Sequence, residues 1–223
     1  MIAAIIYLLA IVSAETITAV FQPELGMICH AIVLVAVVTH SALTSDTSYQ
    51  GLFLSLALAP LVRIISMSIP LINISQIWWY PIVYAPLLLA AVVVMRILGF
   101  RKLDIGLRFS PILTQLAISL SGFLFGLAEY FILRPQSLID ELTWPKLWWP
   151  ALILLLSTGM VEEFIFRGVM QRTALIVFGS WGIIYVSFLF AILHMGFLSI
   201  IDVVFVFAVA LFFGWIVKKT GSL

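Results

Sequence analysis

The chain has 223 residues, of which 64% are hydrophobic and only 9% charged, with a formal net charge of +1. A soluble domain carries about 25% charged residues, so this composition excludes a water-soluble globule. The near-neutral balance also gives no basic surface for nucleic acid. The single cysteine, Cys29, leaves no partner for an intramolecular disulfide and no cysteine-rich metal cluster.

The expected fold class is all-α, a polytopic transmembrane helix bundle of about eight spans. Crossing a bilayer takes roughly 20 apolar residues, and the apolar runs fall at 2–21, 26–43, 52–73, 79–98, 111–133, 148–176, 182–197 and 200–217. The first run begins at Met1-Ile2-Ala3-Ala4 with no basic region, so it reads as a membrane helix and not a cleaved signal peptide. The loops are short, with no room for a separate soluble domain. Residues 1–110 form one group of spans and residues 111–223 a second, which carries the chemistry described below.

Basic residues near span ends set the orientation. Arg96, Arg101, Lys102 and Arg108 surround the loop between spans four and five. Arg172 ends span six, and Lys218 and Lys219 end span eight. All three clusters fall on one side, which is therefore cytoplasmic, and residues 135–147 fall outside. Trp78, Trp79, Trp144, Trp148 and Trp149 mark the outer interface, and Trp181 and Trp215 the inner one.

Several polar residues interrupt the early spans. Pro60 and Pro70 predict a kink in span three, and Arg63 on that span is expected to snorkel to an interface. Glu15 and Glu129 sit near span ends and are expected to be solvated. His30 and His40 point about 80° apart on span two, a poor arrangement for one metal, so packing roles are expected. Gly122 and Gly126, with Ser119, have the spacing of a close helix contact.

The stretch Gly159-Met160-Val161-Glu162-Glu163-Phe164-Ile165-Phe166-Arg167-Gly168 stands apart. It places two carboxylates and an arginine at membrane depth, where an ionisable residue costs several kcal/mol or about 2.5–3.5 on the insertion scale. Glu163 and Arg167 are four apart and share a face, so they can pair. Glu162 points about 100° away and lacks that partner. Two readings remain open on these residues: a general base beside a held carboxylate, or a structural polar knot.

Depth brings a second group into play. Span six runs about 43 Å from 148 to 176, and the chain turns near Ser180. Glu162 lies about 27 Å before that turn and His194 about 21 Å after it, so the two can face each other at similar depth. Phe190 shares His194's face one turn closer to the cytoplasm. A carboxylate and an imidazole in such a pocket can deprotonate one water or bind a divalent cation. The structural alternative for His194 is a backbone-bonded buried histidine.

Glu162-Glu163-x-x-x-Arg167 followed by Phe190-x-x-x-His194 resembles the CPBP intramembrane proteases, the type II CAAX prenyl endopeptidases and their Abi or bacteriocin self-immunity relatives, over roughly residues 145–223. The resemblance implies that Glu162 activates the hydrolytic water, His194 positions it, Glu163 and Arg167 hold the site in shape and Phe190 packs it. It implies a peptide or protein substrate at the membrane of a multi-pass protein, in a prokaryote the plasma membrane. For a cofactor it leaves two alternatives: a divalent metal such as zinc, with Glu162 and His194 as ligands, or no tightly bound metal. The family pattern continues with a helix carrying His-x-x-x-Asn or His-x-x-x-Asp, whereas this sequence closes at Lys218-Lys219-Thr220-Gly221-Ser222-Leu223 with no His after His194. Either the sequence is a fragment or this member lacks those donors. Asp202 has no link to the site in the sequence.

The leading expectation is therefore an intramembrane metalloendopeptidase-like enzyme. The alternative is a catalytically inactive scaffold or bacteriocin-immunity protein that binds a peptide or partner helix. A proton-relay transporter ranks last, for want of inverted repeats or paired broken helices.

Overall fold

The computed structural model describes residues 1–108 and 111–223, and among them every regular element is a helix. Eight helical rods follow the chain: α1 (Ile2–Phe21), α2 (Pro23–Leu43), α3 (Thr47–Ser68), α4 (Gln76–Ile97), α5 (Ile112–Leu133), α6 (residues 144–178), α7 (Trp181–Phe197) and α8 (Ile200–Thr220). Six of them, α1 to α5 and α8, are long and apolar enough to cross a membrane. This is the expected all-α transmembrane bundle, and only helices can satisfy every backbone group of an open segment in lipid.

Local chemistry sets the ends. Pro23 opens α2, where its missing N–H costs nothing. Asp46 caps α3, accepting from the amides of Ser48 at 2.8 Å and Tyr49 at 3.3 Å. The cap starts the helix before the apolar run 52–73, so the span is Thr47–Ser68. The regular helix of α3 is interrupted at Ala57, between its two halves Thr47–Leu56 and Leu58–Ser68. Pro60 cannot donate back into the preceding turn, so the helix breaks three residues before it. Gly179, at φ +57°, closes α6, the positive φ that glycine adopts without steric cost.

The core is built from the inner halves of α3, α4, α6 and α7, with Leu52, Leu56, Leu87, Ile165, Met170 and Leu189 fully buried. α6 and α7 cross tightly after their turn: a Cβ on Gly182 would lie 2.5 Å from the Ala174 backbone. α5 is peripheral. It buries no residue and docks on α8 through Phe125, whose ring packs edge-on against Phe205, Phe212 and Phe213. Gly122 and Gly126 do not make the expected close helix contact, since nothing lies within 4 Å of a Cβ at either.

At one end of the bundle, residues 101–108 tie α6 and the end of α8 together. Arg172 Nη2 lies 3.6 Å from Asp104 Oδ1, Ser222 Oγ donates to the Arg108 carbonyl at 2.6 Å and the Leu223 amide to the Gly106 carbonyl at 2.9 Å. Arg108 also donates to the Thr220 carbonyl. Asp104 is held below the usual carboxylate range, chiefly by the Arg101 amide that donates to it at 2.9 Å.

Candidate active site

The middle of α6 is wound unevenly. Leu155–Gly159 and Phe164–Met170 are π-helical, and the short α-helical turn Met160–Glu163 lies between them. Such widened turns are rare and cluster at functional sites. Glu162 and Glu163 sit on that central turn.

The two carboxylates have different partners. Glu163 pairs with Arg167 at 3.3 Å; the Glu163 side chain is 34% exposed and that of Arg167 only 3%. Glu162 instead accepts a short hydrogen bond from the Tyr84 hydroxyl of α4. A neutral donor thus holds one oxygen of Glu162, and among the described residues no ion pair neutralises it. The sequence separated the two glutamates correctly, but nothing in it singled out Tyr84, one more aromatic in a helix that begins Gln76-Ile77-Trp78-Trp79-Tyr80.

Phe190 on α7 joins the second half of the site. The Arg167 guanidinium stands 4.5 Å from its ring centroid, a cation–π arrangement that gains from desolvation. The same ring meets Phe166 edge-on at 4.7 Å and lies 4.6 Å from the His194 imidazole. His194 Nδ1 is 2.9 Å from the Phe190 carbonyl oxygen. A carbonyl only accepts, so Nδ1 carries the proton and Nε2 keeps its lone pair free when the ring is neutral. The half-buried His194 is therefore backbone-bonded, as its structural alternative required, and still offers a basic nitrogen.

Other polar groups lie on the neighbouring helices. Arg63 does not snorkel. Its Nε and Nη2 clasp Glu15 at 3.0 and 2.8 Å, and Nη2 also donates to the Leu193 carbonyl at 2.8 Å, fixing the turn before His194. Glu15 is not solvated but fully buried, with His30 Nε2 3.4 Å from its Oε1. A buried pair is favourable only with this kind of bidentate, fully engaged geometry, and α1, α2 and α3 converge to provide it. Asp202, on the first turn of α8, is fully buried with neither carboxyl oxygen hydrogen-bonded. Glu129 on α5 is half-buried. Glu129 is thus not simply solvated. His40 does pack, stacking on Phe53 at 4.4 Å with Nδ1 3.0 Å from the Tyr7 hydroxyl.

An apolar cleft of about 370 Å³ between α4 and α6 runs up to this site, lined by Trp78, Pro81, Tyr84, Ser157, Met160 and Val161. Among the described residues, no three His, Cys, Asp or Glu side chains are placed to hold a metal ion. A tetrahedral zinc site needs at least three protein ligands, so the donor set of the described residues does not fit one.

The fold and these contacts define a multi-pass integral membrane protein with a polar site between its helices. Residues 144–223, roughly the C-terminal third, match the family model described as Type II CAAX prenyl endopeptidase Rce1-like. That match supports, over that stretch, the resemblance to the CPBP/CAAX protease family. No curated protein and no solved structure matches the chain.

Proposed function

We propose that this protein hydrolyses a peptide bond within the membrane, with Glu162 as the base that activates water. The observation that carries the reading is the division of labour between the adjacent glutamates: Arg167 takes Glu163, while Glu162 keeps a carboxylate oxygen beyond its bond from Tyr84. A base needs a free lone pair at a fixed position, and a donor on the other oxygen fixes it.

The chemistry then runs as follows. Glu162 removes a proton from water as the oxygen bonds to the scissile carbonyl carbon. His194 Nε2 accepts a hydrogen bond from the same water and orients it. The proton held by Glu162 passes to the amide nitrogen, the carbon–nitrogen bond breaks, and a carboxylic acid and an amine leave. Phe190 and Arg167 keep the imidazole and the second carboxylate in register. The substrate is a peptide or protein segment at the membrane, and the setting expected for it is a prokaryotic plasma membrane.

The test is Glu162→Gln in purified, reconstituted protein. The amide keeps the size of the side chain and its bond from Tyr84 but cannot take the proton. Cleavage of a peptide substrate should vanish while the protein stays folded. Retained cleavage overturns the reading. A non-catalytic scaffold would instead keep partner binding unchanged in the same variant and show no cleavage in either form.

A further inference from the structure

We propose that the groove between α5 and α8, at the basic end of the bundle, binds an anionic phospholipid of the cytoplasmic leaflet. One acyl chain lies between the two helices, and the phosphate meets Lys219 and Arg108.

The groove follows from how α5 docks. α5 leaves the basic end and α8 returns to it, and the two meet where Phe125 packs edge-on against Phe205, Phe212 and Phe213. From that contact toward the basic end, a groove of about 240 Å³ lies between them. Thr114, Ala117 and Ser121 line it on α5, and Phe212, Trp215 and Lys219 on α8. The spacing of three or four residues on both helices gives one continuous face on each.

Its size fits a lipid chain. Phe125 to Thr114 is about 16 Å of helix and Phe212 to Thr220 about 12 Å, close to the roughly 15 Å of hydrocarbon in one leaflet. A helix about 10 Å across takes roughly 120 Å³ for each residue, so the groove does not hold another transmembrane helix. A thinner apolar chain enters it, and an empty gap would forfeit the dispersion contacts of its lining.

Charge selects the headgroup. Lys219 stands at the mouth with Nζ 4.2 Å from the centroid of the Trp215 ring. A ring face engages the charge and leaves N–H groups to point at an oxyanion. Arg108 reaches the same mouth by donating to the carbonyl of Thr220, which also lines the groove. Among the described residues, neither Lys219 nor Arg108 pairs with a carboxylate. Asp104, in the adjoining loop, is engaged by Arg101 and Arg172 instead. This end carries seven of the eleven lysines and arginines, at residues 96–108, 172 and 218–219. Such basic loops are retained on the cytoplasmic side, where the leaflet is anionic.

The test is native mass spectrometry of the full chain in detergent micelles, with phosphatidylglycerol or phosphatidylcholine of identical acyl chains added. The parent should retain one phosphatidylglycerol in preference to phosphatidylcholine. A basic residue at an anionic surface is worth about fivefold in binding, so Lys219→Gln should weaken that retention about fivefold. Lys218→Gln makes the same change of charge one residue away, on a side chain that donates to Ser180 Oγ at 2.6 Å, and should leave retention unchanged. Ala117→Trp fills the groove and should abolish retention of both lipids, whereas Leu120→Trp, on an exposed face of α5 outside the groove, should not. If Ala117→Trp fails to fold, the comparison of Lys219→Gln with Lys218→Gln still decides. Equal retention of the two lipids overturns the proposal, as does equal loss in the two lysine variants. Retention in folded Ala117→Trp, or a parent that holds no lipid as monomer or dimer, overturns it as well.

Discussion

Arg63→Met is the most informative single perturbation of this bundle. It removes a guanidinium that clasps Glu15 through two nitrogens and also donates to the Leu193 carbonyl. Glu15 has no exposure to fall back on. Breaking a buried pair by deleting one partner costs about 3–5 kcal/mol, and the orphaned carbonyl adds about 1–3 kcal/mol where water cannot reach it. Arg63 is itself 18% exposed on its side chain, so some relief through water is available, and the expected loss is about 3–5 kcal/mol. The assay is reversible unfolding in mixed micelles, run as a double-mutant cycle with Glu15→Gln. The double variant buries no charge at this point and should recover most of the loss. In the activity assay, loosening of the turn before His194 should lower kcat more than it raises KM. A single variant within about 0.5 kcal/mol of the parent, the range of ordinary surface substitutions, would refute the argument, as would strict additivity of the two substitutions.

Tyr84→Phe deletes only the donor to Glu162. A hydrogen bond to a charged group is worth about 1.5–3 kcal/mol, so kcat should fall by about ten- to a hundredfold with KM little changed, and unchanged kinetics would remove Tyr84 from the site. Asp104→Asn acts at the basic end. Because the Asp104 carboxyl is held below its ordinary value, its contribution is present above that value and is lost as pH falls through the lowered one. The variant should show faster hydrogen exchange over residues 218–223 at neutral pH, and the difference from the parent should shrink at strongly acidic pH. Gly182→Val drives a Cβ into the Ala174 backbone at 2.5 Å, and overpacking of a rigid contact costs about 1–3 kcal/mol or more. Folded protein recovered from membranes should drop sharply, whereas Gly126→Val, with open space around it, should be tolerated.

Much of the fold was legible because a bilayer leaves few options. Apolar runs of bilayer length had to be helices, and eight of them appear near the expected positions. The Glu163–Arg167 pair followed from helical spacing alone. The groups that hold the site were not legible. Tyr84, Glu15 and Arg63 come from α1, α3 and α4, far away in sequence, and pairing between spans depends on packing that no spacing rule carries. Arg63 looked like a snorkelling side chain because its distance from the span end permits that, and only its buried partner on α1 decides otherwise. The glycine pair on α5 fails for the same reason in reverse: small-residue spacing marks a face that can approach another helix, and α5 uses Phe125 instead.

The packing of α6 explains why an arginine stands in the site at all. All seven residues of Phe164–Met170 are buried, so the guanidinium of Arg167 sits where apolar residues would be as stable or more stable, by about 1–4 kcal/mol. Its Nη1 makes no hydrogen bond of good geometry, only the 3.3 Å ion pair to Glu163 and the contact over Phe190. Stability alone does not account for such a group. What Arg167 does is local. It offsets the like charge that Glu163 would otherwise set beside Glu162, and through the Phe190 ring it touches the residue whose carbonyl fixes the His194 tautomer. One costly cation thereby links the two halves of the site, which lie on different helices. The reacting groups proposed here come from α6 and α7, and the residues that hold them come from helices at the other end of the chain, so the proposed site depends on closure of the whole bundle.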